Sequence, residues 1–184
     1  FAASSNLELF AAGQLHQLRA LVRQAEVLAG HYDSVVANPP YMGSKSMPSK
    51  LKKHAQQAFP MSKRDLYACF IEKAACMAKP SGTVGLLTIQ NWLFQTSFED
   101  LRRFLIDTKT LRCLIHIGYN SFPSLNSKVA LAASFVIRPQ RVRGYESIFI
   151  DLNTGSQSAD KERLFLAKDC KRQYREECNI FSTI

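Results

Sequence analysis

No Cys-x-x-Cys pair occurs among the five cysteines of this sequence, which removes the usual signatures of paired-cysteine zinc centres and dithiol redox sites. Cys69, Cys76, Cys113, Cys170 and Cys178 are odd in number, and a reducing, cytoplasmic setting is expected from them. Cys69 and Cys76 lie seven apart in a helical pattern and read as thiols on one buried face. His16, His31, His54 and His116 are scattered, so surface or structurally satisfied roles are expected and no metal ligand is assigned. No apolar run approaches the roughly 18 residues needed to cross a bilayer. The first six residues carry no basic segment followed by a hydrophobic one, so neither a membrane span nor export is expected. Gly-x-Gly is absent throughout, and there is no internal repeat or low-complexity tract.

What is present suits one domain with a sizeable core: 184 residues, 46% hydrophobic and 21% charged. Lysine and arginine total 24 against 15 acids, a formal net charge of +9 that favours phosphate-bearing partners, although a solvated basic surface gives the same total.

One stretch looks built for chemistry. Asn38-Pro39-Pro40-Tyr41 comes directly after the apolar run Val35-Val36-Ala37. Consecutive prolines fix φ and remove two N–H donors, so the chain must leave the sheet there with its carbonyls free to accept. Ordinary residue frequencies produce this tetrapeptide by chance in on the order of one in a thousand chains of this length. An amide side chain and a proline carbonyl side by side offer two acceptors to an exocyclic amine, while the Tyr41 ring is a flat surface for a planar base. Those are the needs of an enzyme acting on the amino group of a flipped nucleobase, whose nitrogen lone pair is otherwise delocalised into the ring.

Around this stretch the pattern alternates. Residues 7–28 carry an apolar stripe at Leu15, Leu18, Val22, Ala25 and Leu28, predicting an amphipathic helix with Gly30 as its stop. Residues 33–37 read as a short buried strand, and residues 42–60 as a long surface loop or a loop with a short helical piece. Ser62 with Asp65 three residues on resembles a helix start, and Leu66, Phe70, Ala74 and Met77 then recur at helical spacing until Lys79-Pro80-Ser81-Gly82. Residues 83–89, 111–117 and 130–137 are compact apolar runs predicted as strands, and residues 145–151 alternate like a half-exposed one. A helix is expected from Ser97 and Asp100 to near Asp107, and a helical or irregular extension over residues 161–178. Trp92 and Phe94, after the second strand, could line a pocket at the same carboxyl edge, and core packing is the expected role. The alternation predicts an α/β fold with a mostly parallel sheet flanked by helices, whose ligands bind at the carboxyl edge.

At Asn38-Pro39-Pro40-Tyr41 the chain resembles the amino-group DNA methyltransferases, and within them the adenine-specific enzymes of BREX phage-defence and related restriction-modification systems. The resemblance runs from Tyr32 to Gly43 and continues through Ser62-Lys63-Arg64-Asp65-Leu66-Tyr67, Lys79-Pro80-Ser81-Gly82 and Gln90-Asn91-Trp92. It implies a partial Rossmann-like fold, S-adenosyl-L-methionine as cofactor, DNA as partner alongside other phage-defence or restriction-modification proteins, and methyl transfer to adenine N6. By that resemblance Asn38, Pro39, Pro40 and Tyr41 are catalytic: Asn38 and the Pro39 carbonyl would accept from the amine, and Tyr41 would stack on the base. Phe122, in Ser121-Phe122-Pro123 ahead of Lys128-Val129, is similar to the second stacking aromatic of some members, though a phenylalanine before proline also serves as a packed loop residue.

The family's glycine-rich cofactor turn and its ribose-holding acid precede the tetrapeptide, and no such pattern stands in residues 1–32. The expectation is therefore the catalytic part of a larger enzyme over residues 1–143, with residues 144–184 an extension, and poor cofactor binding by this piece alone. Lys45, Lys50, Lys52 and Lys53 come after the tetrapeptide and are candidates for phosphate contact, or for a solvated lysine loop. Arg138, Arg141 and Arg143 form a second basic run that reads as a solvated strand end. Readings of other classes stay open: a noncatalytic DNA-binding or assembly module of the same fold, or methylation of cytosine N4, RNA or a protein glutamine.

Overall fold

The computed structural model describes residues 2–121, 131–167 and 171–176. The chain divides into two compact units, Phe1–His31 and Tyr32–Ile184. The first is a single helix, α1 (Ala2–Ala29), closed where the Gly30 N–H reaches the Val27 carbonyl at 3.4 Å. The helix expected over residues 7–28 is there, starting earlier. Leu15, Leu18, Val22 and Leu28 of its apolar stripe are exposed.

The second unit is built on a six-stranded sheet in the order β1-β2-β4-β3-β5-β6. Its elements are β1 (Tyr32–Ala37), α2 (Ser49–Ala58), α3 (Leu66–Met77), β2 (Ala78–Ile89), α4 (Glu99–Thr108), β3 (Thr110–Gly118), β4 (Ala132–Arg138), β5 (Glu146–Asp151), α5 (Ser158–Leu166) and β6 (Lys171–Glu176). β1 pairs parallel to β2, and β3 parallel to β5; β4 runs antiparallel to both β2 and β3, and β6 antiparallel to β5. β1, β2, β3 and β5 therefore share one direction, but β4 lies between the two parallel pairs. The register sets Ala37 level with Leu86, Ile89 and Gly118 level with Ala132, and His116 level with Asp151. The carboxyl ends of the four co-directional strands thus form one edge.

The core lies where α3 and α4 meet this sheet. Tyr67, Ile71, Trp92, Leu101, Phe135 and Ile137 are almost wholly buried there, with the Trp92 and Phe135 ring centroids 4.9 Å apart. Ring contacts of this kind add to what area burial alone contributes.

Several local expectations are corrected. Asp65, not Ser62, caps α3: its carboxylate accepts from the Tyr67 N–H at 3.3 Å, while Ser62 is buried and donates to Glu72 Oε2 at 2.6 Å. Cys69 is buried but Cys76 is exposed, because the second thiol falls in the last turn of α3 where the packing face ends. Phe70, assigned to the apolar stripe of that helix, is exposed. The helix does end before Lys79-Pro80-Ser81-Gly82, but those four residues belong to the strand that follows. β2 already begins at Ala78 and bulges, its partners on β1 shifting between Tyr32 and Ser34. Gly82 makes the bulge possible, since a Cβ there would come within 2.8 Å of the Asp33 carbonyl oxygen and 3.0 Å of that of Tyr32. β1 itself is not the buried strand expected: it lies at the end of the sheet order, and Val36 is 83% exposed. Within residues 161–178, α5 reaches Leu166 and β6 adds a strand. The sheet continues through residue 143, since β5 is hydrogen-bonded to β3.

Candidate active site at the strand ends

Asn38 leaves the end of β1 exposed to solvent, Pro39 behind it is buried, and Tyr41 is half-buried. The strand aims this turn outward, and two prolines prevent it from continuing the ladder. The Tyr41 hydroxyl donates to Asn38 Oδ1 at 3.2 Å, so the amide and the phenol ring the sequence singled out are brought together. Tyr41 is steadied from below by the edge of Tyr67, with ring centroids 6.2 Å apart and planes at 88°. Burial holds the Tyr41 hydroxyl above its ordinary pKa, which keeps it a donor at neutral pH. Burial and the neighbouring Asp65 carboxylate push Tyr67 further in the same direction.

Asp65 fixes the chain just past the tetrapeptide. Its Oδ1 accepts from the Met42 N–H at 3.1 Å as well as from Tyr67, and the Met42 carbonyl accepts from the Leu66 N–H at 2.9 Å. One carboxylate therefore caps α3 and ties the residue after Tyr41 to that cap. Burial raises the Asp65 pKa, partly offset by the Met42, Tyr67 and Leu66 N–H groups. In the sequence Asp65 stands out only as part of a helix start; its hold on Met42, 23 residues away, has no local signature.

The lysines are placed on the surface. Lys45 lies in the turn before α2, and Lys50, Lys52 and Lys53 on that helix; all four are exposed. Lys50 and Lys53, three apart, share one face of α2, with Lys52 about 100° round from Lys53. Phe122 lies outside the described residues. Trp92 is buried as expected, its indole N–H donating to Thr88 Oγ1 at 3.2 Å, but Phe94 is exposed and not a core residue.

Sequence reading missed a polar network on the same edge. His116 Nε2 is hydrogen-bonded to Gln90 Oε1, and Asn153 Nδ2 lies 2.7 Å from His116 Nδ1. A ring that donates from Nε2 and accepts at Nδ1 is the neutral tautomer. Desolvation lowers the His116 pKa; Asp151, with Oδ1 3.8 Å from Nδ1, opposes this and Lys161 adds to it. Lys161 is buried and donates to the Ile117 and Leu152 carbonyls at 2.6 and 3.1 Å. Gln90 also uses its main chain, donating to the Leu131 carbonyl at 2.8 Å. Gln90, His116 and Asn153 are far apart in sequence, and only the strand register shows that they meet.

The fold is that of a methyltransferase. The methyltransferase subunit of a type I restriction-modification system from Streptococcus thermophilus superposes with a TM-score of 0.56 at 17% identity, over 84% of this chain and 36% of that one. DrdV, solved as a complex with DNA, gives a TM-score of 0.62 at 14% identity, over 89% of this chain and 19% of its own. The profile of the Eco57I restriction-modification methylases matches residues 6–122, and the chain belongs to that family. The adenine-specific methyltransferase BrxX of Escherichia coli O9:H4 (strain HS) is 36% identical over 149 residues, which is 81% of this chain and 12% of BrxX. The chain thus spans about an eighth of that relative's length.

No Gly-x-Gly turn occurs among the described residues. The glycines of the second unit stand singly, at positions 43, 82, 85, 118, 144 and 155. Gly43 and Gly155 lie in the connections from β1 to α2 and from β5 to α5, but each stands alone, without the run of glycines that presents several N–H groups to a cofactor such as S-adenosylmethionine.

Proposed function

We propose that this chain holds the target base in an adenine-N6 DNA methyltransferase that uses S-adenosylmethionine, with the catalytic residues inside residues 1–143 and the cofactor bound chiefly by residues other than those described. The observation that carries this is the exposed Asn38 carboxamide at the end of a parallel strand, joined to Tyr41 by a 3.2 Å hydrogen bond.

An extruded adenine placed against the Tyr41 ring would present its N6 amine to Asn38 Oδ1 and the Pro39 carbonyl. Oδ1 has two lone pairs, so it can keep the Tyr41 hydroxyl and accept one amine hydrogen. Two fixed acceptors draw the N–H bonds toward themselves and favour a pyramidal nitrogen, whose lone pair is then localised for attack. Neither Asn38 nor a protonated Tyr41 is a base, so the site activates the amine by geometry and not by prior deprotonation. Lys45, Lys50, Lys52 and Lys53 are the groups for phosphate contact in this reading, and Phe122 is the candidate for the opposite face of the base. Its implied partners are DNA and other phage-defence or restriction-modification proteins.

The test is methyl transfer from labelled cofactor to duplex DNA by the complete polypeptide. Asn38→Ala is expected to lower turnover about 100-fold or more, the scale for removing one preorganised polar contact to the reacting group, with an unchanged melting temperature. Unchanged turnover would overturn the role. A noncatalytic DNA-binding module is the second reading, favoured by the missing glycine-rich turn. It would show as DNA binding without methyl transfer in the complete polypeptide.

A further inference from the structure

Further rings stand on the strand-end edge, after β2 and β3 where the tetrapeptide follows β1. Phe94, beyond the end of β2, is 42% exposed, and Tyr119, beyond the end of β3, is 53% exposed. The His116 imidazole has its centroid 6.2 Å from that of Phe94. Single exposed aromatics are ordinary on protein surfaces. What distinguishes Tyr119 is the backbone that presents it.

Gly118 and Asn120, on either side of Tyr119, both have left-handed φ, at 74° and 51°. Glycine and asparagine are the residues that take this conformation most readily, and it persists where the surroundings hold it. Here they do. The Asn120 side chain donates to the Ser156 carbonyl at 2.8 Å, Ser121 Oγ donates to the Gly118 carbonyl, and buried Lys161 holds the Ile117 carbonyl. A Cβ on Gly118 would collide with the Asn153 side chain, the same group that bonds His116. The corner is therefore locked with a tyrosine facing water, where relaxation of the backbone would let the ring fold back.

Its surroundings fit one kind of partner. Asp151, 3.8 Å from His116, puts a carboxylate beside the rings, which repels a phosphodiester. Flat rings and a neutral imidazole match the faces of bases, and the Asn153 amide matches their edges. The protein's net charge of +9 supplies the general attraction to nucleic acid that this corner lacks. We propose that this strand-end edge, with Tyr119 after β3 and the tilted Phe94–His116 pair beside it on the sheet, stacks an unpaired DNA base other than the one held at Tyr41. The inference rests on the DNA reading above and deepens it, by giving the edge a second base contact that survives loss of the first.

The test compares binding of this chain to a fully paired duplex and to the same duplex with one bulged 2-aminopurine nucleotide, whose fluorescence is quenched on stacking. Expected is tighter binding of the bulged duplex, with quenching. Phe94→Ala and Tyr119→Ala should each cut that preference about fivefold or more, the lower end for loss of one base–aromatic stack. Tyr119→Phe should retain it, and affinity for the paired duplex should be unchanged in all three variants. Both side chains are exposed, so the variants should melt like the parent chain. A preference lost in Tyr41→Ala but kept in Phe94→Ala and Tyr119→Ala would overturn the platform and leave the DNA reading intact. Stronger binding of the same bulge in RNA would also overturn it. Failure to bind either duplex would remove the DNA reading and the platform together.

Discussion

At His116 both ring nitrogens are engaged, Nε2 with Gln90 and Nδ1 with Asn153, so an added proton on Nδ1 must displace the Asn153 donor. Burial lowers its pKa, and of the charged groups facing it Asp151 opposes the shift while Lys161 adds to it. The folded value lies below the unfolded one of about 6.5. The unfolded chain therefore takes up the proton first as pH falls, and the stability this residue contributes, present above about pH 6.5, is lost between there and the folded value. The melting temperature should drop on acidification from about pH 7.5 to 5.5, and His116→Gln, which cannot titrate, should flatten the profile. Superimposable profiles for the two proteins would show that His116 does not control stability in that window.

Among the elements, α3 depends on a residue that also serves the site. Asp65→Ala removes an N-cap and the acceptor for Met42, and a loss of about 1–2 kcal/mol is expected in urea unfolding. Because burial raises the Asp65 pKa, the fold disfavours its charge. The contribution of that carboxyl to stability falls as pH rises from about 3.8 to the folded value. Asp65→Asn keeps an acceptor oxygen without the charge, so it should cost much less than Asp65→Ala at neutral pH; equal losses would mean the carboxylate charge is required. The elements also divide into those the sequence made legible and those it did not. β3, β4 and the later half of β2 were readable because compact apolar runs bounded by polar residues are buried in the middle of a sheet. β1 carries a similar run, Val35-Val36-Ala37, yet lies at the end of the strand order, and burial there depends on neighbours that a linear pattern does not encode. Pro80 and Gly82 marked the end of the helix but hid the start of β2, since a bulge uses the same residue types. The tetrapeptide was legible because its chemistry is local. Asp65, Gln90, His116 and Asn153 act across long sequence separations.

For the whole molecule, a charge of +9 and four exposed lysines after the tetrapeptide predict salt-dependent binding to duplex DNA. Each lysine that neutralises a phosphate adds about 0.9 to the steepness of log affinity against log salt. Lys50→Ala/Lys52→Ala/Lys53→Ala should flatten the slope by up to three such increments; an unchanged slope would assign those lysines to solvent alone. The sheet carries one further implication. β4 is hydrogen-bonded on both sides and nearly every alternate residue in it is buried, so its amide protons should be the slowest to exchange with heavy water. Among the described strands β1 pairs only with β2, and its amides should exchange sooner. Asn38 is therefore mounted on a rim of the sheet that loses its deuterium protection early, while the strand that organises the interior keeps it.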